Sequence, residues 1–326
     1  MKSSIAEFIL TTGLIAGAMM AVAPAAAQKF PPKLIRVIVP TTPGGAVDAF
    51  GRGIGHRLEQ ALGTTAVVEN RAGGNGAIGA TFVAKAAPDG STLLVIFASH
   101  VVNPLFTKNL SYEPISDFTP IVHIGNIPLI LVTHPSIPVT SLKSLIALAK
   151  SKPGMLTFAS GGVGSGGHLS GELLKYMTKI DIVHIAYKGN AVALTDVLGG
   201  HVSMMFDTIT TGLPHVRQGK LRLLAVTSAE RAPQAPDTQT MIEAGLAGYE
   251  TDAWYALLGP VQMPRDIVER LNSELNKAFN DQSFRANFVA QGVRFVGGSP
   301  EQLDAHMRSE SKRWADVIAA SGMKPE

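Results

Sequence analysis

The 326-residue sequence contains no cysteine. That absence excludes disulfides, thiolate catalysis, cysteine-based zinc sites and the lipidated N-terminal cysteine of a bacterial lipoprotein. Charge is also sparse: 16% of residues are Asp, Glu, Lys or Arg against 46% apolar, and the net charge is +3. Such a composition describes a globular protein with a substantial core. The Lys and Arg residues are scattered, with no basic run interleaved with aromatics, so nucleic acid is not an expected partner. Catalytic signatures are missing as well. A Gly-x-Ser-x-Gly elbow fails because Phe158 and Val163 stand where glycine should precede Ser160 and Ser165. There is no His-Glu-x-x-His, and the nine histidines occur singly, so neither a metal site nor a cofactor is expected. Lone histidines such as His123, His184 and His201 read as core-edge or surface residues.

What is present begins with a leader. Lys2 supplies a positive start, Phe8 to Val22 form an apolar run, and Ala25 and Ala27 precede Gln28. That is the layout of a secretory signal peptide, and the run is short for a membrane span. Residues 1–27 are therefore expected to be removed near Ala27, leaving a soluble periplasmic chain large enough to hold together without covalent staples.

The rest alternates strand and helix. "LIRVIVP" is a short β-rich run, and Val47, Phe50, Ile54, Leu58 and Leu62 then recur at helical spacing up to Gly63. "AVVEN" and "TLLVIF" continue the pattern as buried strands of an open α/β sheet. A second set follows: "PLILVTHP", a helix capped by Ser141, "LTFAS", the helix "HLSGELLKYM", "DIVHIAY", the helix "NAVALTDVLGG", "VSMMFD" and "LRLLAVTS". "AWYALLGP" leads into C-terminal helices carrying Ile267, Leu271, Leu275 and Phe279, then Leu303, Met307, Trp314 and Val317. Two similar α/β lobes are expected, residues 28–126 plus 257–326 and residues 127–256, joined by crossing strands so that the cleft works as a hinge.

Two glycine segments share one spacing, Gly74-x-Gly76-x-x-Gly79 and Gly162-x-Gly164-x-x-Gly167. The first does not suit a dinucleotide. It follows the second strand rather than the first, and the next acid is Asp89, inside a turn. It reads as a structural turn. The first strand-to-helix turn is instead "VPTTPGGAVD", where Pro43, Gly44 and Gly45 precede a helix whose free N–H groups suit a carboxylate. "FASGGVGSGGHLSG" offers the same in the second lobe, with hydroxyls from Ser160 and Ser165. Two helix N-termini facing each other would pinch one small anion.

The blocks "IRVIVPTTPGGAVD", "VVENRAGGNGAIGA", "VAKAAPDGSTLL", "SGGVGSGGHLSGELLK", "IAYKGNAVALTDVLGGHVSMMFD" and "LRLLAVTSAERAPQAPDTQTMIEAGLAGYE" together resemble the Bug family. Its members are the periplasmic solute-binding receptors of tripartite tricarboxylate transporters. The resemblance runs from about Phe30 to the C-terminus. It implies a two-lobed α/β fold of the type II periplasmic-binding-protein kind, each lobe a mixed sheet flanked by helices with the ligand cleft between them. It implies ligand contacts from Thr42, Pro43, Gly44, Gly45 and Ala46 and from Ser160, Gly161, Gly162 and Ser165. Segments Asp207 to Thr210 and Ala98 to Val101, including Thr208, Ser99 and His100, would line the rest of the pocket.

Several of these residues carry a second reading. Asp48 either complements the helix dipole or faces ligand. His168 reads as an anchor for its glycine loop, Asp207 as a cap or an ammonium ligand, and Trp254 and Tyr255 as core. Thr41, His100, Thr208, Thr210 and Thr211 depart from the usual family pattern. The added hydroxyls and imidazole suit a ligand polar at both ends, a dicarboxylate, aliphatic or aromatic of the phthalate type. The expected protein is a monomeric receptor, not an enzyme, delivering to transporter membrane components or to a sensor protein. The competing reading is an exported α/β hydrolase or dehydrogenase acting on a carboxylic acid, which would turn its ligand over.

Overall fold

The computed structural model describes residues 30–289 and 291–321; the expected signal peptide lies outside them. The first half opens with β1 (Leu34–Val39), α1 (Ala46–Leu62), β2 (Thr65–Asn70), α2 (Ala77–Ala84), β3 (Thr92–Phe97) and a short α3 (Ser99–Val102). β4 (Phe118–Thr133) follows, then α4 (Leu142–Ser151), β5 (Thr157–Ser160), α5 (Gly166–Thr178), β6 (Val183–Ala186) and α6 (Asn190–Leu198). The chain continues through β7 (Met204–Thr208), α7 (Ile209–Arg217), β8 (Arg222–Val226) and β9 (Asp252–Pro260). It closes with α8 (Arg265–Asn280), α9 (Gln282–Val289), β10 (Arg294–Gly297) and α10 (Pro300–Ser321).

Strand β4 organises the molecule. Its first part, Phe118 to Pro128, pairs antiparallel with β9, which pairs antiparallel with β3 in a sheet continued by the parallel strands β1 and β2. From Leu129 to Thr133 it pairs instead with β7 and β8, in a second sheet that continues in parallel through β5 and β6. The change of partner falls at Pro128, which has no N–H to donate to a ladder. Each half is thus a mixed sheet flanked by helices, and one strand belongs to both.

Packing follows from the sequence pattern. β3, "TLLVIF", is buried at five of six positions because it lies inside the first sheet with helices covering it. α1 buries Val47, Phe50, Ile54 and Leu58 at helical spacing, and Gly63 ends it with φ +63°. Gly51 lies on the same face, where a Cβ would overlap the Val39 side chain, so glycine sets the helix-to-sheet distance. α4 begins with the capping box of Ser141 and Ser144.

Three features depart from the sequence expectations. β4 is 16 residues long, although only "PLILVTHP" reads as strand, because Pro120 and Pro128 interrupt the pattern. α7 lies where no helix is expected: "ITTGLPHVR" combines Thr, Gly and an internal Pro214, and buried Ile209 and Leu213 hold it in place. β10 is a four-residue strand on β4, too short to announce itself.

Candidate ligand-binding site

The loop after β1 is exposed from Thr42 to Gly45. Gly44 adopts φ +94°, a conformation only glycine takes freely, and Gly45 begins α1 with no side-chain cap. The first intrahelical bond is donated by Ala49 to the Gly45 carbonyl. The N–H groups of Ala46, Val47 and Asp48 therefore lack helical acceptors. No atom lies within 4 Å of a Cβ built on Gly44 or Gly45, so the space before the loop is open.

Asp48 holds this loop in shape. Its carboxylate accepts hydrogen bonds from Gly44 N–H (3.0 Å), Arg52 Nε and Nη2 (3.0 and 3.1 Å) and Asn70 Nδ2 (2.9 Å). Asn70 also donates to the Thr41 carbonyl at 3.1 Å. Burial alone would raise the Asp48 pKa, but the bonds from Arg52, Asn70 and Gly44 outweigh it and hold the group below the usual range. Asp48 is thus a buried lock and faces the loop.

The second loop is held by neutral groups. Ser160 is fully buried, with Oγ 2.7 Å from His184 Nε2 and accepting Gly162 N–H at 3.2 Å. Ser165 caps α5 by accepting the His168 N–H, and His168 Nδ1 accepts the Gly164 N–H at 2.9 Å. The anchoring reading of His168 matches this geometry. The rings of His168 and His184 stack 4.1 Å apart. Burial, with the neighbouring His184 and Lys175 charges, lowers the His168 pKa to about 3; burial and Lys175 lower that of His184 to about 4. Both are neutral near pH 7, as an Nδ1 acceptor must be. The amides of Val163, Gly166 and Gly167 have no acceptor among the described residues.

Not every glycine here clears space for a ligand. A Cβ on Gly167 would press on the Phe206 carbonyl and one on Gly171 would overlap the Phe158 ring, so these two let α5 lie close to the sheet. A Cβ on Gly161 would sit 3.1 Å from the Asn190 backbone nitrogen, so this glycine also serves internal packing. Asp207, fully buried beside this loop, accepts from the Thr208 N–H at 2.8 Å and from the Asn190 side chain. Burial pushes its pKa up to about 6, against the lowering effect of nearby Thr211, Thr208 and Asn190. Asp207 thereby ties the start of α6 to the end of β7. The Thr208 hydroxyl lies 2.8 Å from that of Thr211.

The segment after β3 is buried from Ala98 to Val101. His100 is buried, with Nε2 2.9 Å from the Pro114 carbonyl and its ring against Tyr112 and Phe118. Burial lowers its pKa to about 4. It is a core residue, because the α3 turn directs it inward, and it adds no donor to the loop surfaces. Ser99, also buried, donates to the Asn75 carbonyl. Sequence reasoning missed Arg52, Asn70 and Asn190 and gave His184 only a core-edge or surface reading, although all four shape the loops. Asn75 was also passed over, although an asparagine between two glycines signals the left-handed turn it adopts at φ +53°.

A cavity of about 90 Å³ adjoins the second loop at Gly166 and lies against β4, β9 and α10. Glu250, Asp252 and Glu310 line it against one lining arginine, Arg313, a charge balance unsuited to a carboxylate. Asp252 is bonded to Arg294 at 2.7 Å; burial nevertheless raises its pKa to about 6. The described residues contain no cluster of His, Cys, Asp or Glu able to hold a metal ion, and no helix among them is long and apolar enough to cross a membrane.

Two α/β halves sharing a strand, each with an amide-lined loop at a strand-to-helix turn, have the architecture of a solute-binding protein. Comparison with known proteins agrees. The model of the tripartite tricarboxylate transporter family receptor matches residues 51–323, and the chain belongs to that family of periplasmic solute-binding receptors, which bind and do not catalyse. BugT of Bordetella pertussis is 36% identical over 319 residues, 97% of this chain and 96% of its own. The structure of R. palustris Rpa4515 with adipate superposes with a TM-score of 0.84 at 35% identity, covering 91% of this chain and all of that one. MatC (Rpa3494) from Rhodopseudomonas palustris with bound malate gives 0.79 at 33% identity, over 89% of this chain and all of its own. The fold is accordingly the two-lobed type II arrangement, and the family's ligands are small carboxylates.

Proposed function

We propose that this protein captures a small dicarboxylate between the loops at Thr42–Ala46 and Ser160–Ser165 and delivers it to the membrane components of a tripartite tricarboxylate transporter. The carrying observation is the pair of loops whose backbone amides lack acceptors, the first with open space before Gly44 and Gly45. Adipate and malate in two similar proteins, both dicarboxylates, support the choice of ligand class. An aromatic diacid of the phthalate type belongs to the same screen. In this reading residues 28–126 plus 257–326 form one lobe and 127–256 the other, and they move about β4, where its partner changes near Pro128, and about β9. Secretion with cleavage near Ala27 and action as a monomer complete the proposal.

A thermal-shift screen of mono-, di- and tricarboxylates tests it. A ligand at 100 times its dissociation constant stabilises by about 2.7 kcal/mol. Dicarboxylates should raise the melting temperature most. Silence across all acids, or a response confined to monocarboxylates, would remove the claim. Uptake into membrane vesicles carrying the transporter subunits then separates delivery to a transporter from signalling through a sensor.

A further inference from the structure

The turn at Gly74–Gly76, on the β2 side of the molecule, reaches the second half of the protein. Asn75 Nδ2 donates to the Val163 carbonyl at 2.7 Å and to Asn103 Oδ1 at 2.9 Å. Its own carbonyl accepts from Ser99 Oγ and Asn103 Nδ2, and Asn103 Nδ2 also reaches Tyr112 Oη at 3.1 Å. Ser99, Asn103 and Tyr112 are all buried. Of these bonds, the one to Val163 alone crosses from the first sheet's half to the second. Contacts also cross where Ile209 meets Gly292 and the Thr210 hydroxyl donates to the Gln291 carbonyl.

The Val163 carbonyl and the Gly164 N–H belong to one peptide unit. Asn75 holds its oxygen from one half, and His168 holds its N–H from the other. Gly164 also fits closely here: a Cβ would come 3.0 Å from Asn75 Nδ2 and 3.3 Å from Val102. The peptide next to the unpartnered Val163 amide therefore gains a second anchor, on its oxygen, when the halves are together. We infer that Asn75 is a closure latch: it joins the lobes across the cleft mouth and fixes the second loop in the orientation that holds ligand. Its functional meaning rests on the receptor reading above. Asn75 is a positioning residue and acts on the ligand through the loop.

Two variants separate this from a structural role. Asn75→Gly tolerates the positive φ and removes the side chain; Asn75→Asp keeps the shape and sets an acceptor against the Val163 carbonyl. Because the chain lacks cysteine, spin labels on Lys85→Cys and Lys150→Cys, both exposed and one in each half, report the interlobe distance. Without ligand, the long-distance population should grow in the order wild type, Asn75→Gly, Asn75→Asp. Identical distributions in all three would overturn the latch whatever the ligand is. With adipate added, the variants should release it about tenfold faster at a nearly unchanged association rate. A variant that melts earlier but releases adipate at the wild-type rate would also overturn it. If adipate leaves even the wild-type distances and heats unchanged, the choice of ligand fails, and the ligand-free distances still decide the latch.

Discussion

The two loops proposed to hold the ligand are kept in shape by opposite chemistry. The first is fixed by a charged centre, Asp48 with Arg52 and Asn70, and stands exposed. The second is fixed by neutral histidines and serines, half-buried and bridged by Asn75. A carboxylate lock can be buried because Arg52, Asn70 and the Gly44 amide stabilise its charge. An imidazole accepts only while neutral, and burial extends that state well below pH 6.5. The difference gives the loops separate sensitivities, and each can be broken without the other.

The largest effect is expected at the first loop. Gly44→Val forces a β-branched residue to φ +94° and should weaken dicarboxylate binding by at least about 100-fold, at a stability cost of about 1–3 kcal/mol. Calorimetry and a melting curve read the two effects separately. Asp48→Ala comes next. It frees the Gly44 N–H, leaves Arg52 without its carboxylate and Asn70 with the Thr41 carbonyl alone, for a loss of about 2 kcal/mol after allowance for the exposure of Arg52, measurable in urea.

Acid should separate the loops more gradually. The folded pKa values of His168 and His184 lie below the ordinary 6.5, so below that pH the unfolded chain binds more protons. Their contribution therefore falls as pH drops from 6.5 toward about 4, by up to about 1.4 kcal/mol per unit for each group. Asp48 is held below its ordinary value, so its stabilisation is present above pH 3.8 and is lost only as pH falls further. Between pH 6.5 and 4.5, hydrogen exchange corrected for intrinsic rate should speed up at Gly164 before Gly44. Simultaneous loosening would contradict the distinction. The smallest effect is expected from Gly45→Ala, at φ −92° with open space around the new methyl: a few-fold loss of affinity and an unchanged melting temperature.

Much of this was legible from residue pattern. Gly63 marked the end of α1, Ser141 the start of α4, and the apolar run at Thr92–Phe97 a buried strand. Both strand-to-helix glycine turns were visible because Pro, Gly and Ser at those places have few other uses. What stayed hidden depends on contacts between distant segments. Asn70 reaches Thr41 and Asp48, His184 reaches Ser160, and Asn75 reaches Val163, partners that no local period encodes. The Pro114 carbonyl contact of His100 is hidden for the same reason: position along the chain does not fix which way a short helix points its side chain. Gly167 matched a ligand-loop pattern yet, like Gly171 inside the helix, serves helix-to-sheet packing, which becomes visible only once Phe206 and Phe158 lie beneath them.

The central claim is that a dicarboxylate is held between these two loops. Calorimetry of adipate with the purified chain, stripped of co-purified ligand, tests it most directly when paired with Gly44→Val. The account predicts saturable one-to-one binding at micromolar concentration in the wild type and none in the variant, which should still melt cooperatively. Wild-type affinity retained in a folded Gly44→Val protein would contradict it.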